Sequence, residues 1–262
     1  MTSVCDHHHA SNCRTFATPC RYYDAADFIP RLPDCGTRMR VPNPAIGLRT
    51  RMGEEMELHM ERVRGEPRWQ TPGPQPNGLQ ATDAGLWVID QDNLDVYLLD
   101  WQDGHVLRQF PTATHHSSGI TFDGETLWIA STFTPIALFR YALDGTEIGR
   151  LPTPGAGTSG AHGLEWIDGK LWVTVPPSVT TYELDPVSGG ILRQFPAPGN
   201  RPHGLAWDGE LLWVAETAHR TITGYTLDGD VRRVLAMDSG PNEGANPHGL
   251  TYSRWPALVL RR

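Results

Sequence analysis

The sequence predicts an all-β propeller of five blades, and three observations carry that reading. A Gly-Leu or Gly-Ile step recurs directly after Asn77, Ser118, His162, His203 and His248, at intervals of 41, 44, 41 and 45 residues. A period of roughly 40–45 residues is that of a four-stranded propeller blade. Behind each of the first four steps comes a turn and then Leu86-Trp87-Val88, Leu127-Trp128-Ile129, Leu171-Trp172-Val173 or Leu212-Trp213-Val214. The third observation is that the last unit is short. The sequence stops at "ALVLRR", two strands after its His-Gly-Leu step.

The elements follow in order. Within the third unit, "HGLEWI" alternates as a strand does, and Asp168-Gly169 supplies the φ>0 residues of a tight hairpin. "KLWVTV" and "TTYELD" are rich in β-branched and aromatic residues, "PVSGG" turns the chain, and "ILRQFPA" is the fourth strand. The same order recurs in "NGLQATDAGLWVID…DVYLLDWQDGHVLRQFPT", "FDGETLWIAS…LFRYALDGTEIGRLPT" and "WDGELLWVAE…ITGYTLDGDVRRVLAM".

The truncated fifth unit needs two more strands, because an open edge invites association. "MELHMERVRGEPRWQTPGP" precedes the first unit and can supply them, with Trp69 eight residues ahead of Asn77 as Phe195 is ahead of His203. The expectation is a ring closed by N-terminal outer strands pairing with C-terminal inner strands. Six blades are the alternative, and only residues 1–50 could provide the sixth; they lack the pattern. The propeller is therefore assigned to residues 51–262. Residues 1–50 are a Cys/Arg/Pro-rich extension, poorly ordered or loosely packed, with Met52 or Met56 as alternative starts. "CDHHHASNC" could bind a soft metal through Cys5, Cys13 and His7 to His9, but its spacing matches no closed zinc module.

Composition narrows the function. A net charge of −8 gives no electrostatic footprint for nucleic acid or for anionic membranes. No apolar run approaches the ~20 residues of a membrane span, and the N-terminus lacks a secretory signal. A monomer in the cytoplasm is the expectation. P-loop, dinucleotide and Gly-x-Ser-x-Gly signatures are absent.

The chemistry lies in the residue before each Gly. The first strand of a blade lines the central channel, so residues at one repeat position converge near its mouth. Here that ring reads Asn77, Ser118, His162, His203 and His248, with His115 and His116 close to the Ser118 slot. Three imidazoles from neighbouring blades form a candidate site for a divalent metal. The opposing reading is a structural brace, although a brace intrinsic to the blade would be wanted in every blade. The slot after Leu-Trp-Val holds Asp90, Ser131, Val175 and Glu216. Glu216 could orient an imidazole or act as a base, or simply bond backbone amides. Glu165 follows His162 by three residues and is either solvent-facing or functional. Glu243 sits on a Gly/Asn-rich loop ahead of His248, a position suited to function. The four repeated tryptophans read as inter-blade packing.

At "RPHGLAWDGELLWVAE" and "NPHGL" the chain resembles the streptogramin B lyase (virginiamycin B lyase) group, and more broadly NHL, YVTN and glutamine-cyclotransferase propellers. The resemblance covers residues 66–262. It implies a lyase that opens a cyclic depsipeptide by elimination, with a histidine-based acid/base site and Mg2+. The family's Pro-His steps map onto His203 and His248. Asn246 stands where the family carries a glutamate, which leaves Glu243 as the carboxylate of that loop. The family has seven blades, against five expected here.

The resulting expectation is a lyase or hydrolase of the propeller type with a divalent metal, Mg2+ or Zn2+, on His162, His203 and His248. His203, His248, Glu216 and Glu243 are its candidate catalytic residues, and a small polar or cyclic molecule its substrate. The alternative is a non-catalytic propeller that binds a peptide or protein partner, with structural histidines.

Overall fold

Each repeat folds into a four-stranded antiparallel sheet because its two turn signals sit at fixed offsets between alternating strands. The computed structural model describes residues 60–63, 68–197, 199–237 and 247–253. Blade 1 is β2 (Pro76–Thr82), β3 (Gly85–Asp90), β4 (Asp95–Leu99) and β5 (Val106–Pro111), preceded in the chain by β1 (Met60–Val63). Blade 2 is β6 (Ser117–Phe122), β7 (Leu127–Ser131), β8 (Ala137–Tyr141) and β9 (Glu147–Pro152). Blade 3 is β10 (Gly163–Ile167), β11 (Lys170–Val175), β12 (Thr180–Leu184) and β13 (Ile191–Pro196). Blade 4 is β14 (Pro202–Trp207), β15 (Leu212–Glu216), β16 (Thr221–Tyr225) and β17 (Val231–Met237).

The Asp-Gly and Leu-Trp-Val signals recur together for a physical reason. Asp208 Oδ1 accepts the amides of Glu210 and Leu211, while Oδ2 accepts the Trp213 indole N–H at 2.7 Å. Asp123 does the same for Glu125, Thr126 and Trp128. One carboxylate thus shapes the turn and orients the tryptophan that packs between blades. Trp87, Trp128, Trp172 and Trp213 are all buried in these layers, as expected.

The invariant glycine has an equally direct cause. A Cβ on Gly78 would stand 2.3 Å from the Ser118 carbonyl oxygen, and one on Gly163 1.9 Å from that of His203. On Gly204 it would meet the Leu250 nitrogen at 2.4 Å. Each inner strand therefore touches the backbone of the next, and only glycine permits the approach.

The blade count differs from expectation. The described residues form four blades rather than five or six. β1, expected in an outer position of a closing blade, lies instead as a parallel fifth strand on β17, from Met60 opposite Val234 to Val63 opposite Met237. It covers the outer edge of blade 4, and its Glu61 carboxylate accepts both 2.8 and 3.0 Å bonds from Arg233 Nη2. Residues 247–251 are not a strand. They run between blades 4 and 1: the Gly204 amide donates to the His248 carbonyl at 2.7 Å, and the Ala81 amide to Thr251 Oγ1 at 2.9 Å. Leu250 packs with Val63, Ala206 and Trp213. Trp69 lies outside any strand, yet a Cβ on Gly104 would strike its indole, just as Gly145 abuts Phe110 and Gly229 abuts Phe195. The assigned extension, residues 1–50, lies outside the described residues.

Candidate functional site

In blades 1, 2 and 4 the strand that carries the ring residue is bulged. Pairing slips between Pro76 and Gly78, between Ser117 and Ile120, and between Pro202 and Leu205. In blade 3 the amides of both His162 and Gly163 bond to the single residue Thr174, through its carbonyl and its hydroxyl. Residues three apart face opposite sides of a regular strand. One extra residue reverses that, so the ring residue and the one three further on share the inter-blade side. Two tiers result: Asn77, Ser118, His162, His203 and His248, then Gln80, Thr121, Glu165, Ala206 and Thr251.

The upper tier is contiguous. Ser118 Oγ bonds Asn77 Oδ1 at 3.2 Å. The rings of His162 and His203 meet edge to face with centroids 4.3 Å apart, and those of His203 and His248 at 4.7 Å. The structure thus brings together the three histidines that the sequence singled out. His203 is 1% exposed. Its Nδ1 lies 3.0 Å from the Arg201 carbonyl, which can only accept, so Nδ1 carries the proton and Nε2 the lone pair. Burial, then the neighbouring imidazoles of His162 and His248, bring the His203 pKa down to about 2. Burial, then His248, Arg201 and His116, bring that of His162 to about 3. Burial and Arg201 lower His248 as well. All three rings are neutral at pH 7. The Nδ1 atoms of His162 and His248 are buried without a hydrogen-bond partner.

Glu216 is fully buried. Its oxygens accept the amide of Arg201 at 3.0 and 3.2 Å and that of Ala218 at 3.1 Å. Asp90 and Ser131 take the equivalent amides of Gln75 and His115. This slot therefore braces the loop that enters each inner strand, and Glu216 reaches His203 only through the Arg201 backbone. Glu243 lies outside the described residues. His116 adopts a left-handed backbone (φ 55) and meets Phe133 edge to face at 5.1 Å.

Among the described residues, one set of three metal-ligating side chains has all its donor atoms within 4.8 Å: Asp100, Asp103 and His105. The histidine ring is not such a set, since its three donors do not all approach that closely. The Asp/His set occupies the β4–β5 hairpin. There Asp100 Oδ1 accepts the Gln102 amide, and Asp103 Oδ1 accepts the amide of His105 and lies 2.6 Å from its Nδ1. It was not anticipated from sequence, where "DWQDGH" reads as a turn. Its carboxylates are engaged in turn bonds.

No family model and no curated protein matches the chain. Among solved structures, the glutaminyl cyclase of Myxococcus xanthus is similar at TM-score 0.58 and 13% identity, over 69% of this chain and 82% of that one. A streptogramin B lyase is similar at TM-score 0.48 and 19% identity, over 68% of this chain and 59% of that one. The virginiamycin B lyase of Staphylococcus aureus gives 0.49 and 21%, over 71% and 63%. The chain spans less than two thirds of either lyase. The likeness to glutamine-cyclotransferase propellers read from the repeats thus recurs in three dimensions, and at 13% identity it is a likeness of fold. Among the described residues, no helix is long and apolar enough to cross a membrane.

Proposed function

We propose that the channel mouth is the site of a metal-dependent enzyme of the lyase type, acting as a monomer by elimination or ring opening on a small polar or cyclic substrate. One observation carries the reading: three contiguous neutral imidazoles, two of them with a buried Nδ1 that has no partner. A buried polar atom left unpaired costs about 1–3 kcal/mol, and a bound ligand removes that cost.

Neutral imidazole is a metal donor, and an all-nitrogen set suits Zn2+ better than the oxygen-seeking Mg2+. The three donors do not converge within 4.8 Å, whereas the rings contact in pairs, His203 with His162 and His203 with His248, and such a pair is the unit assigned to the ion. The Arg201 carbonyl on Nδ1 of His203 leaves Nε2 as the lone-pair donor, the usual arrangement of a ligating histidine. A divalent ion held by such a pair would supply Lewis acidity toward a substrate carbonyl. His162 and His203, with pKa values near 3 and 2, are weak bases. Glu243 is therefore the proposed proton acceptor, and Glu216 a positioning residue rather than a base.

The edge-to-face contacts of the three rings favour a second reading, in which the histidines brace the blades and the propeller binds a peptide or protein partner. Metal content separates the two. Untagged protein is analysed by mass spectrometry before and after reloading with Zn2+, Mn2+ or Mg2+, beside a His162/His203/His248→Asn triple variant checked by circular dichroism. Near-stoichiometric metal in the wild type, lost from a folded variant, supports the enzyme. No retained metal in the wild type overturns it.

A further inference from the structure

The lower tier contains a group that the proposed chemistry does not use. Glu165 is 6% exposed and projects from β10 toward blades 2 and 4. Its Oε1 accepts the Trp166 amide at 2.8 Å and lies 3.4 Å from Thr121 Oγ1, while Oε2 accepts the Trp207 amide of β14 at 3.0 Å. Thr121 Oγ1 lies 2.8 Å from Gln80 Oε1 in blade 1. A side-chain network thus runs across four blades.

Its hydrogen-bond directions can be worked out from one end. The Ala81 carbonyl takes a hydrogen from Gln80 Nε2 at 3.0 Å, which fixes the amide and turns Oε1 toward Thr121. Oε1 can only accept, so the Thr121 hydroxyl gives it its one hydrogen. Nothing is left for Thr121 to donate to Glu165. The 3.4 Å contact is a hydrogen bond only if Glu165 carries a proton and donates it. Ionised, the carboxylate would face an oxygen lone pair in a buried place.

No charge offsets that. The strands packed against β10 are β6, β7, β11 and β14. Their titratable groups are Lys170, which lies 3.9 Å from Asp185, and the neutral His203. Burial accordingly raises the carboxyl to about 7, against the opposing pull of the Trp166 and Trp207 amides.

We propose that Glu165 is a proton-operated clasp in the channel wall: as a neutral acid it donates to Thr121 and joins blades 2 and 3 while accepting the Trp207 amide of blade 4, and on ionising it loses the bond to Thr121 and leaves an unpaired charge in a buried place. The step is loss of one proton from the carboxyl to solvent. β10 begins one residue after His162 and β14 carries His203, so the clasp also sets how these two rings meet. It stands whether the histidines bind metal or only pack.

The sign is fixed by linkage. The folded pKa lies above the unfolded one, so the contribution is complete below the unfolded value and falls as pH rises toward 7. Urea unfolding of the whole chain is measured at pH 5 and pH 8 for wild type and Glu165→Gln. The unfolding constant of wild type relative to the variant should rise on the order of 100-fold between the two pH values. Difference infrared spectroscopy of wild type alone should show one carboxylic acid titrating near pH 7, and Thr121→Val should move that midpoint. These results require no folded Glu165→Gln variant. A constant wild-type-to-variant ratio, or no carboxyl titrating above pH 6 in wild type, overturns the proposal.

Discussion

The Gly204 amide donates to the His248 carbonyl at 2.7 Å, across the seam between blade 4 and the C-terminal segment. The bond exists because residue 204 has no side chain. The same close approach recurs around the channel, where Gly78 meets Ser118, Gly119 meets His162 and Gly163 meets His203. It places each ring residue beside the next, and so it brings the three imidazoles into contact.

Gly163→Ala is expected to cost about 3 kcal/mol, since its Cβ would stand 1.9 Å from a backbone oxygen that cannot rotate away. Gly149→Ala is the control. It meets nothing within 4 Å, lies in a strand, and should be neutral or slightly stabilising. Urea midpoints at unchanged slope measure both.

Glu216→Ala removes the acceptor of two buried amides and should destabilise by about 3 kcal/mol. Because Arg201 is held by those bonds, the Nδ1–H of His203 should also exchange faster with solvent. Proton NMR of the imidazole N–H reads this. Glu216→Ala with an unaltered His203 signal would remove Glu216 from the positioning of the ring.

Asp208→Ala breaks the turn bonds and the indole bond of Trp213 together, at roughly 2 kcal/mol. Asp208→Asn keeps the side-chain carbonyl and should lose less. The indole N–H resonance of Trp213 in the proton NMR spectrum reports on the site itself.

The histidines set an acid limit. Their folded pKa values lie below the unfolded value, so their contribution is complete above about pH 6.5 and is lost as pH falls toward 3. Stability should fall by on the order of 10 kcal/mol in total across that window. His162→Asn should flatten part of the slope. Glu165 acts in the opposite direction, so wild type is most stable between the two limits, and the variants separate them.

The repeat was legible because its causes are local and occur in every blade: a glycine where backbones touch, an aspartate that serves both turn and tryptophan, and a tryptophan between sheets. The histidines were legible because the repeat period placed them at one level. The blade count was not. "MERV" reads as a strand, but nothing local says whether it pairs with the C-terminal residues or lies parallel on β17, because a four-residue strand takes its partner from tertiary context. Trp69 shows the limit from the other side. Its aromatic contact with Gly104 follows the repeat although its backbone does not. The burial of Glu165 was open in the sequence, because a carboxylate three residues after His162 reads equally as solvent-facing or as partnered by neighbouring blades. Glu216 was ambiguous for a different reason, since a strand-end carboxylate has the same sequence whether it faces a substrate or two amides.

The most direct test of the site is nitrogen NMR of histidine-labelled protein at pH 7, with and without Zn2+. The account predicts neutral rings for His162, His203 and His248, with the proton of His203 on Nδ1, and a Zn2+-dependent shift of its Nε2 together with one neighbouring imidazole. Rings that stay unchanged at saturating Zn2+, or a His203 proton on Nε2, would contradict it.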